Sequence, residues 1–477
     1  MKSEIFTNNN LKYFLLAIIT HVIIPSVLFW LISQKIYIVR SVINIDYLVL
    51  GILVLFFRKW IFVSIWLTLF SLDILSAIAP SFFFHAYSML LASKFVFSLN
   101  LLKYPFLFSG LAILSLCFGI LWKLVAATYQ QMNKRVVVWL AICLFLIVSI
   151  DITGGTNWTS RYFPSYMMIN RNVASSGIYN LFLEIQKKCT HSNRRDIQFV
   201  ESAMSHTLGR IGSNISDGVA GRHFVLIIVE SWGMLHDDRT AQKIMAPLLS
   251  LSYRYNIHTG SVPFTGATTT AELRELGGIH GDYNSILNGS DFQWIPRQLA
   301  VEGFSTIAIH GFSGHMFDRD HWWPLIGFTQ VIFPQDLIDL NLPQCGGVFA
   351  GICDESIAGY IGTLLQKEKG RSFVYWLTLN THLPLERKAG ENSIFNCEGT
   401  SLTAGSQECR LAKMHSVLFQ AIADKIAASK ALPPVHILIV GDHMSPLSNP
   451  DARFLYNPER VPYVELRPKP SMAKYTR

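Results

Sequence analysis

The sequence predicts a two-part architecture: an N-terminal bundle of about five transmembrane α-helices, then an extracytoplasmic α/β domain. Three observations predict it. The 477-residue chain is 51% hydrophobic with a mean hydropathy of +0.32, high for a soluble protein, and its long apolar runs all fall in the first third. From Arg222 onward, short β-rich apolar runs alternate with helical stretches. Finally, four of those runs are each followed at once by a metal-type or acid/base side chain. The length allows more than one domain, and the boundaries read as 1–155 for the membrane part, 156–221 for a connector and 222–477 for the outer domain.

In the membrane part, Leu11–Ile32 is long enough to cross a bilayer. No convincing small-residue cleavage site follows it, so it reads as a retained helix. Tyr47–Phe57, extended back to about Ser41, is the second candidate and a short one. Trp60–Ala79, Phe106–Trp122 and Val136–Ile152 complete the set. With the N-terminus inside, Lys2, Lys12, Arg58, Lys59, Lys134 and Arg135 flank the cytoplasmic side, against Lys35, Arg40, Lys94 and Lys103 opposite. The bias has the expected sign. Five crossings then place everything after Ile152 outside, which in a bacterium means the periplasm or the outer face of the inner membrane. Asp73 lies inside the third run. An intramembrane carboxylate is either a functional group, such as a lipid contact, or a polar group answering another helix.

Seven cysteines occur. Cys117 and Cys143 fall in membrane segments. Among Cys189, Cys345, Cys353, Cys397 and Cys409, an oxidising compartment favours the local pairs Cys345–Cys353 and Cys397–Cys409. Within the connector, IYNLFLEIQKK reads as an amphipathic helix near the membrane.

The outer domain carries four strand-like runs: HFVLIIV (223–229), STIAI (305–309), FVYWLTL (373–379) and VHILIV (435–440). Nearly continuous apolar character suits strands buried on both faces. Helical stretches at 270–276, 292–301, 356–367 and 411–430 alternate with them, which argues for a largely parallel sheet. After the runs come Glu230, then His310, then Asn380, Thr381 and His382, and then Asp442 and His443. Ligands of open α/β sheets bind outside the carboxyl ends of strands, so all of these side chains converge on one edge. Glu230, Asp442 and His443 would supply three ligands to a divalent ion and leave a fourth position for a nucleophile oxygen, the pattern of a catalytic site. Carboxylate, imidazole and hydroxyl donors suit manganese, zinc or magnesium.

The stretch GATTTAELRELGG (266–278) can supply that oxygen. A threonine at a helix start sits where backbone N–H groups and the helix dipole favour anions. Thr269 followed by Glu272 also fits a capping box. Pattern alone does not choose among Thr268, Thr269 and Thr270. The loop HGFSGHMFDRDH adds His310, His315, Arg319 and His321, and arginine suits bidentate phosphate binding. Trp322 and Trp323 follow, as a sugar- or lipid-facing platform or as core.

These residues resemble the sulfatase and alkaline phosphatase superfamily. More narrowly, they resemble the lipoteichoic acid synthase group, which includes phosphoglycerol transferases acting on periplasmic glucans. The resemblance covers roughly 222–465 and, loosely, the membrane part. VESWG implies Glu230 as a metal ligand. GATTTAE implies Thr268 as nucleophile and further metal ligand, with Glu272 the trailing acid. Thr269 is then left as the cap. IHGFSGHMFDRD places substrate binding on His310 and Arg319. HLP makes His382 the active-site histidine, a role in proton transfer or acceptor positioning that imidazole suits. GDHM makes Asp442 and His443 metal ligands. Ala267 and the text after GDH depart from the group, which leaves the substrate open. No cysteine or serine stands in the C/S-x-P-x-R context of formylglycine sulfatases, so arylsulfatase activity is disfavoured.

The implied function is transfer of phosphoglycerol from phosphatidylglycerol to a glycan acceptor at the membrane, with no nucleic-acid partner. Phosphoethanolamine transfer from phosphatidylethanolamine is the near alternative. A non-catalytic membrane scaffold for polysaccharide assembly is the alternative of a different class.

Overall fold

The computed structural model describes residues 8–470 apart from 85, 100–104, 153–172, 192–197, 210–214, 288–291 and 387. The chain divides into two compact units. One comprises Met1–Leu91, Tyr104–Arg194 and Ser448–Pro450; the other comprises Ala92–Lys103, Arg195–Leu447 and Asp451–Arg477. Residues 92–103 thus group with the outer unit although they lie between membrane segments in sequence. Of the connector expected over 156–221, residues 173–191, 198–209 and 215–221 are described, and Lys2 and Lys103 lie outside the described residues.

Among the described residues of the first unit, four helical stretches are long and apolar enough to cross a membrane: Asn9–Ser33, Lys59–Phe82, Phe108–Gln131 and Lys134–Ile152. The second expected crossing is instead a short helix, Asp46–Ile52, continued by a 3₁₀ turn over Leu53–Phe56. Such a piece rises roughly 16 Å, about half of a hydrocarbon core. Its start is fixed by Asn44, whose Oδ1 accepts from the Asp46 N–H at 3.0 Å, so the apolar run cannot extend back to Ser41 as helix. The last span begins where the Asn133 carboxamide accepts from the N–H groups of Arg135 and Val136, a side-chain cap. Amphipathic character in the connector gives a helix, Gly177–His191.

Asp73 is fully engaged. Arg40 reaches it through Nε and Nη2 at 2.9–3.1 Å, and the Tyr47 hydroxyl donates at 3.0 Å. Both members of the ion pair are only 4% exposed. Nη1 of Arg40 donates to the carbonyls of Ser41 and Val42. Buried charges persist when paired and hydrogen-bonded in this way, so the structure gives the polar-partner reading of Asp73 rather than a lipid contact.

The second unit is built on a seven-stranded sheet. Its strands are β1 (His223–Val229), β2 (Tyr255–Pro263), β3 (Ser305–His310), β4 (Gln330–Ile332), β5 (Ser372–Leu377), β6 (His436–Gly441) and β7 (Arg460–Pro468). Their order is β2-β7-β6-β1-β5-β3-β4. The strands from β6 to β4 run parallel, and β7 pairs antiparallel with both β6 and β2. The continuous apolar runs are explained by two cores. Val225, Ile227, Val229, Val374, Trp376, Ile437 and Ile439 enter one face. Phe224, Leu226, Ile228, Phe373, Tyr375, Leu438 and Val440 enter the other. Each strand therefore lacks a polar face, as buried parallel strands do.

The sequence reading missed β2, β4 and β7. β2 (YNIHTGSVP) is an edge strand and mostly solvated, and β7, though paired on both sides, carries Pro462 and Pro468, residues that argue against a central strand in a sequence reading. Both expected disulfides, Cys345–Cys353 and Cys397–Cys409, are present.

Candidate active site

The carboxyl ends of β1, β3, β5 and β6 meet at one edge of the sheet, and the helix Thr268–Gly277 points its N-terminus at the same place. Thr268 Oγ1 lies 3.2 Å from Glu230 Oε2, 3.0 Å from Asp442 Oδ2 and 3.4 Å from His443 Nε2. His443 Nε2 is 3.5 Å from Glu230 Oε1 and 3.2 Å from Asp442 Oδ2. Glu230, Asp442 and His443 are buried, and Thr268 is half-buried.

These separations test whether the four side chains suit a metal ion. A tetrahedral ion with bonds of about 2.0–2.1 Å has donor–donor edges of roughly 3.3 Å, close to the 3.0–3.4 Å separations among Thr268 Oγ1, Asp442 Oδ2 and His443 Nε2, with Glu230 Oε2 at 3.2 Å from Thr268 Oγ1. His443 adds a second sign of fit: its Nδ1–H faces the Met444 carbonyl at 2.8 Å, which turns the Nε2 lone pair to the cluster, as metal-binding histidines are held. The electrostatics agree. Burial and the neighbouring Glu230 carboxylate push Asp442 well above the ordinary carboxylate range. Burial acts on Glu230 in the same direction, but His382, His443 and the Ser231 hydroxyl pull it down to about 2. Two buried carboxylates this close repel unless a cation joins them.

The backbone is shaped to make the cluster. Gly441 precedes Asp442 because a β-carbon there would stand 2.0 Å from the Trp232 carbonyl oxygen. Ser231 takes a left-handed conformation, φ 58°, uncommon for a non-glycine residue. That turn lets its N–H donate to Asp442 Oδ1 at 2.8 Å and its hydroxyl donate to Glu230 Oε1 at 2.9 Å. The Glu230 backbone is fixed by Thr378, Thr381 and His415. Sequence reasoning missed Ser231; its one signal is that it directly follows the strand-end glutamate.

The threonine run resolves differently from the capping-box expectation. The helix N-cap is Ala267, without a side-chain cap, and Thr268 is the first helical residue. Thr269 is buried inside the first turn rather than at the cap. It is Thr270 whose hydroxyl bonds the turn, donating to the Ala267 carbonyl at 2.6 Å. Glu272 is fully buried and accepts from Arg319 Nε and Nη2, Trp323 Nε1 and the Tyr375 hydroxyl. A side chain holding four donors cannot also turn back to cap. Trp322 and Trp323 are fully buried, which makes them core and not a sugar or lipid platform.

Arg319 is 3% exposed. Besides its pair with Glu272, it donates from Nη1 to the Met316 carbonyl at 3.2 Å. A guanidinium has five N–H donors, so two remain beyond these three bonds. His310 donates from Nδ1 to the Leu377 carbonyl at 3.0 Å, which leaves an acceptor lone pair on Nε2. Burial, reinforced by Arg319, lowers His310 to about 3, so it is neutral at physiological pH. His382 is half-buried on the loop after β5, its Nδ1 facing the Leu383 carbonyl at 2.7 Å. His315 and His321 are 81% and 70% exposed on the loop surface.

Buried histidines set a pH dependence of stability. Burial lowers His310 to about 3, and His415 and His223 to about 4. A histidine depressed in the folded state contributes stability above the unfolded pKa of 6.5, lost as pH falls through the folded value. Asp354, raised by burial to about 7, acts oppositely: its contribution is present below about pH 4 and is lost as pH rises towards 7. Asp442 is raised as well and His436 and His443 are lowered as well; the lowered histidines outnumber the raised carboxylates among the described residues, so unfolding near pH 5 takes up protons and stability falls as pH drops. Thermal melts in chelator are expected to fall steadily from pH 6.5 to 4.5; a flat or rising midpoint contradicts this.

The parallel strands of the sheet thus deliver two carboxylates and an imidazole around a helix-start hydroxyl. The chain belongs to the Sulfatase family, which its residues 222–470 match. No curated protein matches the sequence significantly. Among solved structures, an alkaline phosphatase superfamily protein from Vibrio parahaemolyticus is 16% identical, with a TM-score of 0.39, over 53% of this chain and 61% of its own. The lipoteichoic acid synthase LtaP from Listeria monocytogenes is 15% identical, with a TM-score of 0.42, over 55% of this chain and 70% of its own. Lipooligosaccharide phosphoethanolamine transferase A from Neisseria meningitidis, an integral membrane protein, is 15% identical, with a TM-score of 0.44, over 74% of this chain and 68% of its own.

Proposed function

We propose that the protein is a membrane-bound, metal-dependent transferase that moves phosphoglycerol from phosphatidylglycerol to a glycan acceptor through a phospho-threonine intermediate. The observation that carries this reading is the placement of Thr268 Oγ1, 3.0–3.4 Å from Asp442, Glu230 and His443 at a helix start. Glu230, Asp442, His443 and Thr268 would hold one divalent ion, with manganese first and zinc or magnesium as alternatives. Such an ion supplies charge neutralisation and lowers the pKa of a hydroxyl beside it.

In the first step Thr268 Oγ attacks phosphorus, and the bond from phosphorus to the diacylglycerol oxygen breaks. Diacylglycerol leaves with a proton, and phosphoglycerol remains on Thr268. The free N–H groups of the helix start and the two uncommitted Arg319 donors face developing phosphoryl charge. His310, neutral and presenting a lone pair, accepts from a head-group hydroxyl. In the second step an acceptor hydroxyl attacks phosphorus and Thr268 is released, with His382 moving the proton. The apolar helices among the described residues anchor the chain in the membrane that holds the lipid donor, and the disulfides favour an oxidising, extracytoplasmic side for the second unit.

Purified full-length protein in vesicles with head-group-labelled phosphatidylglycerol is expected to release diacylglycerol, to lose that activity in chelator and to regain it with added Mn²⁺. Equal activity with and without chelator would contradict the metal assignment. Label transferred only from phosphatidylethanolamine would move the function to the ethanolamine alternative.

A further inference from the structure

We propose that the disulfide-closed loop Cys345–Cys353, with the Asp354 that follows it, is a positioning element for His382, and that Phe349 and Asp354 are its positioning residues. This rests on the transferase reading of His382 given above.

The Nδ1 bond of His382 goes to Leu383, its own neighbour, a partner that moves with the loop. Phe349 supplies a constraint from outside: its ring centroid lies 3.8 Å from that of the imidazole, tilted 43°. Phe349 also meets Phe312 at 5.9 Å, and Phe312 follows His310 closely in the β3 loop. One aromatic side chain therefore contacts both the His310 and the His382 segments.

The loop bearing Phe349 is fixed at three points. Cys345 and Cys353 are covalently joined, and Gln344–Cys345 pairs antiparallel with Gly351–Ile352. The Ile352 N–H donates to the Gly311 carbonyl at 2.8 Å. That approach needs glycine, since a β-carbon at Gly351 would lie 2.2 Å from the Gly311 oxygen. Asp354, 3% exposed, then grips the strand-end segment from the opposite side. Its carboxylate accepts from the N–H groups of Leu379 and Asn380 at 3.0 and 2.7 Å, and Asn380 Oδ1 accepts from the Asp354 N–H at 2.6 Å. The stretch 345–354 thus wedges between the residues after β3 and those after β5 and holds both in register. Among the described residues no hydrogen bond joins Asp354 or Phe349 to Thr268, Glu230, Asp442 or His443, and their contacts lead to the His382 segment instead. Displacements of about 1 Å in such a group can change turnover about a hundredfold.

The test measures kcat and donor KM for the full-length protein in vesicles, with thermal melts on each variant. Phe349→Leu keeps an apolar side chain of similar size and so separates ring stacking from folding. It and Asp354→Asn are each expected to lower kcat about tenfold or more, with donor KM within about twofold, while Phe349→Tyr stays near wild type. A Cys345→Ser, Cys353→Ser double variant is expected to follow Phe349→Leu. In a His382→Gln background, adding Phe349→Leu is expected to change the residual rate no further. Wild-type kcat in Phe349→Leu and Asp354→Asn, with His382→Gln impaired, overturns the proposal and leaves the transferase reading intact. An unchanged fold-loss on adding Phe349→Leu to His382→Gln also overturns it. No transfer by the unmodified protein overturns the reading on which it rests.

Discussion

Thr268→Ala is expected to abolish head-group transfer, by at least about a thousandfold, while leaving the protein folded. The substitution removes one hydroxyl and one methyl from a half-buried position at the first residue of a helix whose side-chain cap it does not provide. Its effect on stability should stay within about 1 kcal/mol. The loss is chemical, because no other hydroxyl of the run replaces it: Thr269 is buried in the turn and the Thr270 hydroxyl is committed to the Ala267 carbonyl. Thr268→Ser, which keeps a primary hydroxyl at the same place, should retain part of the rate. Diacylglycerol release from labelled phosphatidylglycerol measures both variants, and a Thr268→Ala protein with wild-type release would remove the nucleophile from the account.

Glu272→Gln should be the most destabilising single change near the site, by roughly 3–5 kcal/mol. Glu272 is fully buried and holds Arg319, Trp323 Nε1 and the Tyr375 hydroxyl at once. Glutamine has nearly the same shape, but it removes the countercharge of a buried guanidinium and turns an NH₂ towards N–H and O–H donors. Denaturant unfolding of the full-length protein in detergent reads the loss. A Glu272→Leu, Arg319→Met double variant should recover only part of it, because it removes the stranded charge but leaves the Trp323 and Tyr375 donors without their acceptor. A Glu272→Gln variant as stable as wild type would show that the pair does not hold Arg319 in place.

Much of this was legible in the residues. Strands β1, β3, β5 and β6 announce themselves because both faces are buried, which leaves no polar residues to break their runs. Each ends at or is followed by a candidate site side chain, so the convergence of Glu230, His310, His382, Asp442 and His443 could be argued from order alone. What stayed hidden depends on three-dimensional partners. The solvated β2 and the proline-bearing β7 have no continuous apolar run. The short helix Asp46–Ile52 looked like a crossing because hydropathy does not register that Asn44 starts the helix late. The threonine run could not assign its own cap, since that depends on which carbonyl the Thr270 hydroxyl meets. Glu272 read as a capping acid because sequence does not show that Trp323, Tyr375 and Arg319 converge on it. Phe349 and Asp354 gave no signal beyond their neighbouring cysteines.

The central claim is that Thr268 carries the phosphoryl group between donor and acceptor. The most direct measurement is the intact mass, followed by peptide mapping, of acid-quenched protein incubated with phosphatidylglycerol vesicles and Mn²⁺ in the absence of acceptor. The account predicts an added mass of one phosphoglycerol group, located on Thr268, absent from Thr268→Ala and absent in chelator. Diacylglycerol release at the full rate with an unmodified Thr268 peptide, or an adduct on another residue, would contradict it.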